Sequence, residues 1–69
     1  MNVVYRGVDG RMLRQNRQEN PPRVGDFVVL ADKVAGDKTY EAAVVVWTIP
    51  DARASIKNVT VNVTIREVI

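Results

Sequence analysis

Short runs of strand-forming residues, separated by glycine and proline turns, make up the hydrophobic pattern of this chain. The alternation is clearest from Asn58 to Arg66, where valine or isoleucine occupies every second position. This alternation predicts a half-buried strand, because successive side chains of a strand point to opposite faces. We expect a bulge or the end of the strand near Arg66, because Glu67 breaks the phase.

Two further runs are apolar at nearly every position. Phe27 to Ala31 and Thr39 to Ile49 are therefore predicted to be strands covered on both faces, with Phe27 and Trp47 in the core. The second run is predicted to be the central or most enclosed strand. Unbroken alternation along it separates two sets of side chains: Tyr40, Ala42, Val44 and Val46 on one face, and Ala43, Val45, Trp47 and Ile49 on the other.

The N-terminal part of the chain is predicted to be a hairpin. Asn2 to Val8 is rich in strand-forming residues, and Asp9-Gly10 favours a tight type I′ turn. Arg11 to about Arg17 then returns as a solvent-facing edge strand. A short helix over Arg11–Glu19 is the alternative, because Met, Leu, Arg and Gln all favour helix.

These strands predict an all-β fold in a single domain, residues 1–69. A chain of this size buries only about 60% of the surface that its unfolded form exposes. Strands that are apolar on both faces then require the sheet to curl on itself or to pack against a second copy. We expect a small antiparallel SH3-like barrel of four to five strands, with an OB-like barrel or a dimeric sandwich as alternatives.

A turn followed by two apolar strands carries a resemblance to known proteins. The turn is Pro22-Arg23-Val24-Gly25-Asp26, and the strands contain Phe27-Val28-Val29 and then Tyr40 and Val44-Val45-Val46-Trp47. This segment, Pro22–Trp47, resembles small SH3-like barrels, including short uncharacterised β proteins of phage and prophage genomes. The resemblance covers about a third of the chain and implies a fold rather than an activity.

The residue types needed for most catalytic and metal sites are missing from the sequence. There is no histidine and no cysteine, which excludes a Ser-His-Asp triad, a cysteine nucleophile, a Cys/His metal cluster and a disulfide. The four glycines are isolated, so no phosphate-binding loop is predicted. We therefore expect a protein that is not an enzyme, with no cofactor, no metal and no small-molecule substrate.

The sequence also lacks the signals of secretion and membrane insertion. No apolar stretch follows a basic start, and no apolar run approaches the length of a membrane span. We expect a cytoplasmic protein with no membrane partner. Without disulfide or metal to stabilise so small a core, a homo-oligomer is the expected means of stabilisation.

Two functional hypotheses follow. The first is a non-catalytic interaction module that binds a protein partner or itself, because the uncharged strand Asn58–Ile65 would recruit another strand if its edge were open. The second is nucleic-acid binding by an arginine row on the first hairpin, with tyrosines for base stacking. An acidic protein surface would suit the same row. The candidate binding residues are Arg6, Arg11, Arg14, Arg17, Tyr5 and Tyr40.

Overall fold

The computed structural model describes residues 1–51 and 58–68, and its regular elements are five β-strands. No α-helix lies in these residues, so the all-β prediction is confirmed, and the first hairpin returns as a strand rather than as a helix. The strands are β1 (Asn2–Arg6), β2 (Met12–Arg17), β3 (Phe27–Leu30), β4 (Lys38–Thr48) and β5 (Thr60–Glu67).

The five strands form one sheet in the order β2-β1-β5-β4-β3, which curls into a half-barrel. β1 and β5 are parallel, whereas the other neighbouring strands are antiparallel. The prediction of a purely antiparallel sheet is therefore wrong. Parallel neighbours require a long connection, and the three strands between β1 and β5 in the chain supply it.

The concave side of the sheet, called here the inner face, contains the hydrophobic core. Val61, Val63 and Ile65 of β5 are at most 1% exposed, and Val45 of β4 and Val28 of β3 pack against the core. β5 thus supplies the centre of the core. The buried cluster as a whole consists of Val3, Tyr5, Leu30, Ala42, Val59, Val61, Val63 and Ile65.

A β-bulge changes the orientation of side chains within β4. The register with β5 shifts between Ala42 and Val44, so Ala43 is an extra residue in the ladder. Ala42 and Val45 consequently both point to the inner face, although they are an odd number of residues apart. The prediction of unbroken alternation along this strand is therefore wrong.

The opposite, outer face of β3 and β4 is open to solvent. Phe27 is 68% exposed and Val29 is 58% exposed, so the prediction that this strand is covered on both faces is wrong. β4 is likewise not the most enclosed strand. The physical reason is that the curled sheet covers only its concave side, and the described chain provides no second layer for the convex side.

A glycine bulge shapes the first hairpin. The Gly10 N–H donates to the Gly7 carbonyl (3.0 Å), and the Gly7 N–H donates to the Arg11 carbonyl (2.9 Å). Gly10 has φ +87°, whereas no non-glycine residue in the described chain has positive φ. A type I′ turn needs positive φ at both central residues, so that prediction is wrong and the connection is a longer turn with a glycine bulge.

Truncating Ile65 should test the central role of β5 in the core. We expect Ile65→Val to cost about 0.5–1.5 kcal/mol and Ile65→Ala about 2–5 kcal/mol of unfolding free energy, because both leave a cavity. A domain of this size has only about 3–5 kcal/mol to lose. Urea denaturation followed by circular dichroism measures the effect, with Val34→Ala in an exposed loop as the control. Equal stability of the three variants would contradict this account of the core.

Candidate functional site

The structure divides the four candidate arginines between different environments. Arg6 lies on the outer face, where its Nε donates to Asn62 Oδ1 (3.2 Å) and its guanidinium also donates to the Gly10 carbonyl (3.1 Å). These bonds fix Arg6 between β5 and the first turn. Arg11 in that turn and Arg17 at the end of β2 are exposed.

Arg14 lies on the other face of the sheet from Arg6. It pairs with Tyr5 across the β1–β2 ladder, and its guanidinium donates to the Ala31 carbonyl at 2.6 Å. Ala31 directly follows β3, so this bond links the two edge strands of the half-barrel. The four arginines therefore do not share one face, and a continuous row of guanidinium groups is not formed.

The aromatic side chains are placed in the opposite way to the prediction. Tyr5 is buried in the core, and its hydroxyl donates to Gln18 Oε1 (3.1 Å). Tyr40 is half-buried and packs against the core. Phe27 and Trp47, predicted to be core residues, are instead 68% and 47% exposed, which makes that prediction wrong.

One half of the outer face, on β1, β2 and β5, is covered by polar side chains. Val4 is buried there, although it lies outside the core cluster. Its cross-strand neighbours are Gln15 and Asn62. Gln15 Nε2 donates to Asn2 Oδ1 (2.9 Å), and Asn62 accepts the bond from Arg6. These two side-chain hydrogen bonds shield Val4 from water, so this half is closed by its own residues.

The other half of the outer face, on β3 and β4, exposes large apolar side chains to solvent. We define the β3–β4 apolar surface as the four exposed side chains Phe27, Val29, Val44 and Val46. Val44 and Val46 are 48% and 52% exposed. The charged pair beside them, Arg66 and Glu41, is joined by a salt bridge of 3.2 Å. Several exposed large apolar side chains on one face of a sheet are a feature of interaction sites.

The direction of the backbone groups in β3 follows from its pairing with β4. Val28 lies opposite Tyr40, and two residues further along β4 the Ala42 N–H donates to the Asp26 carbonyl (2.9 Å). Hydrogen-bonded pairs alternate along an antiparallel ladder, so Val28 and Tyr40 form the next bonded pair. The two residues that flank Val28 therefore direct their N–H and C=O groups away from β4.

These two flanking residues, Phe27 and Val29, make β3 an open edge. Their backbone groups lack a strand partner in the described chain, and their side chains belong to the β3–β4 apolar surface. Phe27–Leu30 contains no charge and no proline, which are the residues that usually protect an edge from another strand. For the strand Asn58–Ile65 an open edge and a place inside the sheet were equal alternatives, and the strand is interior because β5 pairs with β1 and β4.

Asp32 holds the loop that follows β3. Its Oδ1 accepts the N–H groups of Val34 (2.8 Å) and Ala35 (3.0 Å). The hydrogen bonds from Ala35 and Val34 hold the pKa of the Asp32 carboxyl below its ordinary value. In the part of the chain that the structure describes, no three metal-ligating side chains are grouped. The carboxylate of Asp32 thus serves its own loop.

Comparisons with known proteins give no identity. No protein-family model matches the chain, and no curated protein and no solved structure matches it either. The resemblance of Pro22–Trp47 to phage proteins therefore stays a prediction. No helix in residues 1–51 or 58–68 has the length and apolar character needed to cross a membrane.

A carboxyl titration of Asp32 should show the effect of its two hydrogen bonds. We expect a midpoint below 3.8, because the folded loop stabilises the charged form. The loop stabilisation is then complete above the ordinary pKa of about 3.8–3.9 and disappears as the pH falls through the lower folded pKa. Carbon-detected NMR of the carboxyl measures the midpoint, and the Val34 and Ala35 amides report the bonds. In Asp32→Asn the chemical shifts of these amides should no longer change over this pH range. A titration midpoint above 3.8 in the wild type would contradict the assignment.

Proposed function

We propose that this protein is a non-catalytic interaction module that self-associates, with a second copy of the chain bound at the open edge of β3. The observation that supports this proposal is the coincidence of two features in one place. The outward backbone groups of Phe27 and Val29 lie beside the β3–β4 apolar surface, so one partner strand would cover both.

A second copy suits this edge because the edge is complementary to itself. Antiparallel pairing of two β3 strands about a two-fold axis through Val28 places Phe27 of one copy opposite Val29 of the other. Both residues direct their N–H and C=O groups outward, so this register satisfies the free groups of both strands. It also joins the two apolar surfaces into one and extends the core of a chain too short for a large one.

Nucleic-acid binding has weaker support. Arg6 and Arg14 are committed to hydrogen bonds within the fold and lie on opposite faces. Tyr5 is buried, so it is not available for base stacking. Arg11 and Arg17 remain exposed as phosphate-binding candidates.

The narrower assignments of fold and location belong to the same proposal. The curled sheet and the glycine turn before β3 support an SH3-like barrel, whereas the parallel pair β1–β5 is a departure from it. A phage-encoded, cytoplasmic module of this kind would act by assembly rather than by chemistry.

Placing a charge on the open edge should abolish self-association. We expect Val29→Lys to raise the dimer dissociation constant at least tenfold, equivalent to about 1.4 kcal/mol, because each lysine would lie opposite Phe27 of the other copy and bring a charge into the apolar contact. Sedimentation velocity over a concentration series measures the change. Met12→Lys is the matched control, because it replaces an exposed apolar side chain by the same charge on the outer face of the opposite edge strand.

The outcomes of this experiment separate the alternatives. A wild-type protein that stays monomeric at all concentrations would contradict the proposal, as would a dimer weakened equally by both lysine variants. A labelled oligonucleotide titrated at low salt tests the nucleic-acid hypothesis in parallel. If the wild-type protein binds the oligonucleotide with a steep salt dependence, and Arg11→Glu and Arg17→Glu abolish this binding, nucleic-acid binding becomes the proposed function in place of self-association.

A further inference from the structure

β4 extends well beyond the strand that pairs with it on one side. β3 pairs with Lys38–Glu41, and the Gly25-Asp26 turn closes against Ala42. From Ala43 to Thr48, no described strand lies on that side of β4, although β5 continues along the other side. The sheet therefore has a second open edge, distinct from that of β3.

The hydrogen bonds of β5 fix which backbone groups of β4 are free at this edge. The Asn2 N–H donates to the Val59 carbonyl (3.0 Å), so odd-numbered residues of β5 face β1 and even-numbered residues face β4. Val46 lies opposite Asn62 and therefore directs its backbone groups to β5. The two residues that flank Val46 direct theirs to the open side.

These two residues, Val45 and Trp47, also line a groove. Its volume is about 500 Å³, within the range of ligand-binding clefts. The opposite wall is the loop between β2 and β3. The groove thus combines an apolar lining with free N–H and C=O groups along one side. It is lined by Asn20, Pro21, Pro22, Arg23, Val24, Val45 and Trp47.

Among the described residues of that lining, Arg23 alone is charged. Its backbone N–H donates to Asp26 Oδ2 (2.8 Å), while its guanidinium makes no hydrogen bond and no salt bridge to the described residues. Among the described residues that line the groove there is no carboxylate, and the Asp26 carboxylate bonds the Arg23 backbone rather than its guanidinium. A ligand that enters the groove therefore meets one unpaired positive charge beside an apolar surface.

We propose that this groove binds an extended peptide that adds a strand to β4, with apolar side chains at alternate positions and a carboxylate for Arg23. An extended backbone supplies the donors and acceptors that Val45 and Trp47 lack. Its residues opposite these two direct their side chains to the inner face, against the apolar lining. Its intervening residues point out of the groove, and an acidic one complements Arg23, which is exposed in the loop beside this edge. The proposal does not depend on self-association, because it uses a different edge of the sheet.

Peptides with defined backbone methylation test the strand addition. The probe is a capped seven-residue peptide of alternating valine and glutamate, and Trp47, the one tryptophan of the chain, reports binding by its fluorescence. We expect a saturable blue shift of its emission. N-methylation of the valines should weaken binding at least tenfold, because their N–H groups face β4. N-methylation of the glutamates is the matched control and should leave binding unchanged, because those groups face away.

Charge and edge variants complete the test. Arg23→Glu should lower the affinity for the valine–glutamate peptide, whereas Arg17→Glu on the outer face should leave this affinity unchanged. Val45→Pro should abolish binding, because proline removes a free N–H without removing a bond to β5. Three results would overturn the proposal. They are the absence of a saturable shift in Trp47 emission, equal affinity for the two N-methylated peptides, or equal affinity for a valine–lysine peptide and the valine–glutamate peptide. Free protein whose Trp47 emission is already that of a fully buried indole would overturn it as well.

Discussion

The inner face of β5 is the constraint on which the rest of the structure depends. Val61, Val63 and Ile65 are almost completely buried, and they make contact with strands on both sides because β5 lies at the centre of the sheet. Burying one row of aliphatic side chains requires the sheet to curl around it. Because the chain is so short, all five described strands belong to the curled sheet, and none remains to form a second layer over the outer face.

The two halves of the outer face differ in how their apolar side chains are shielded from water. On β1 and β2, Val4 is shielded by side-chain hydrogen bonds, and Arg17 and Gln15 give the edge a polar surface. On β3 and β4 the outer face exposes Phe27, Val29, Val44 and Val46 beside the salt bridge between Arg66 and Glu41. One edge is thus protected against association in the way that natural sheets commonly are, and the other is not. The proposed self-association uses the β3 edge, which lacks this protection.

Sequence patterns predicted the elements of the fold better than their environments. The five strands and the alternating face of β5 follow from local periodicity, since Val59, Val61, Val63 and Ile65 are buried as the alternation indicates. Periodicity does not fix which strands are neighbours, so the central position of β5 and its parallel pairing with β1 were not foreseen. The bulge at Ala43 was also invisible, because in an apolar run an extra residue leaves no mark on the pattern.

The candidate site was predicted less well, and the reason is physical. Whether an apolar strand residue is buried depends on what packs over its face, and neither Phe27 nor Trp47 carries that information in its local sequence. Arginines spaced along one strand alternate between faces, so Arg14 and Arg17 are separated by the pleat itself. The free backbone groups at Val45 and Trp47 depend on the length difference between β3 and β4. Because β3 begins only after the Gly25-Asp26 turn, which lies opposite Ala42, the rest of β4 is left as an edge that local sequence alone does not reveal.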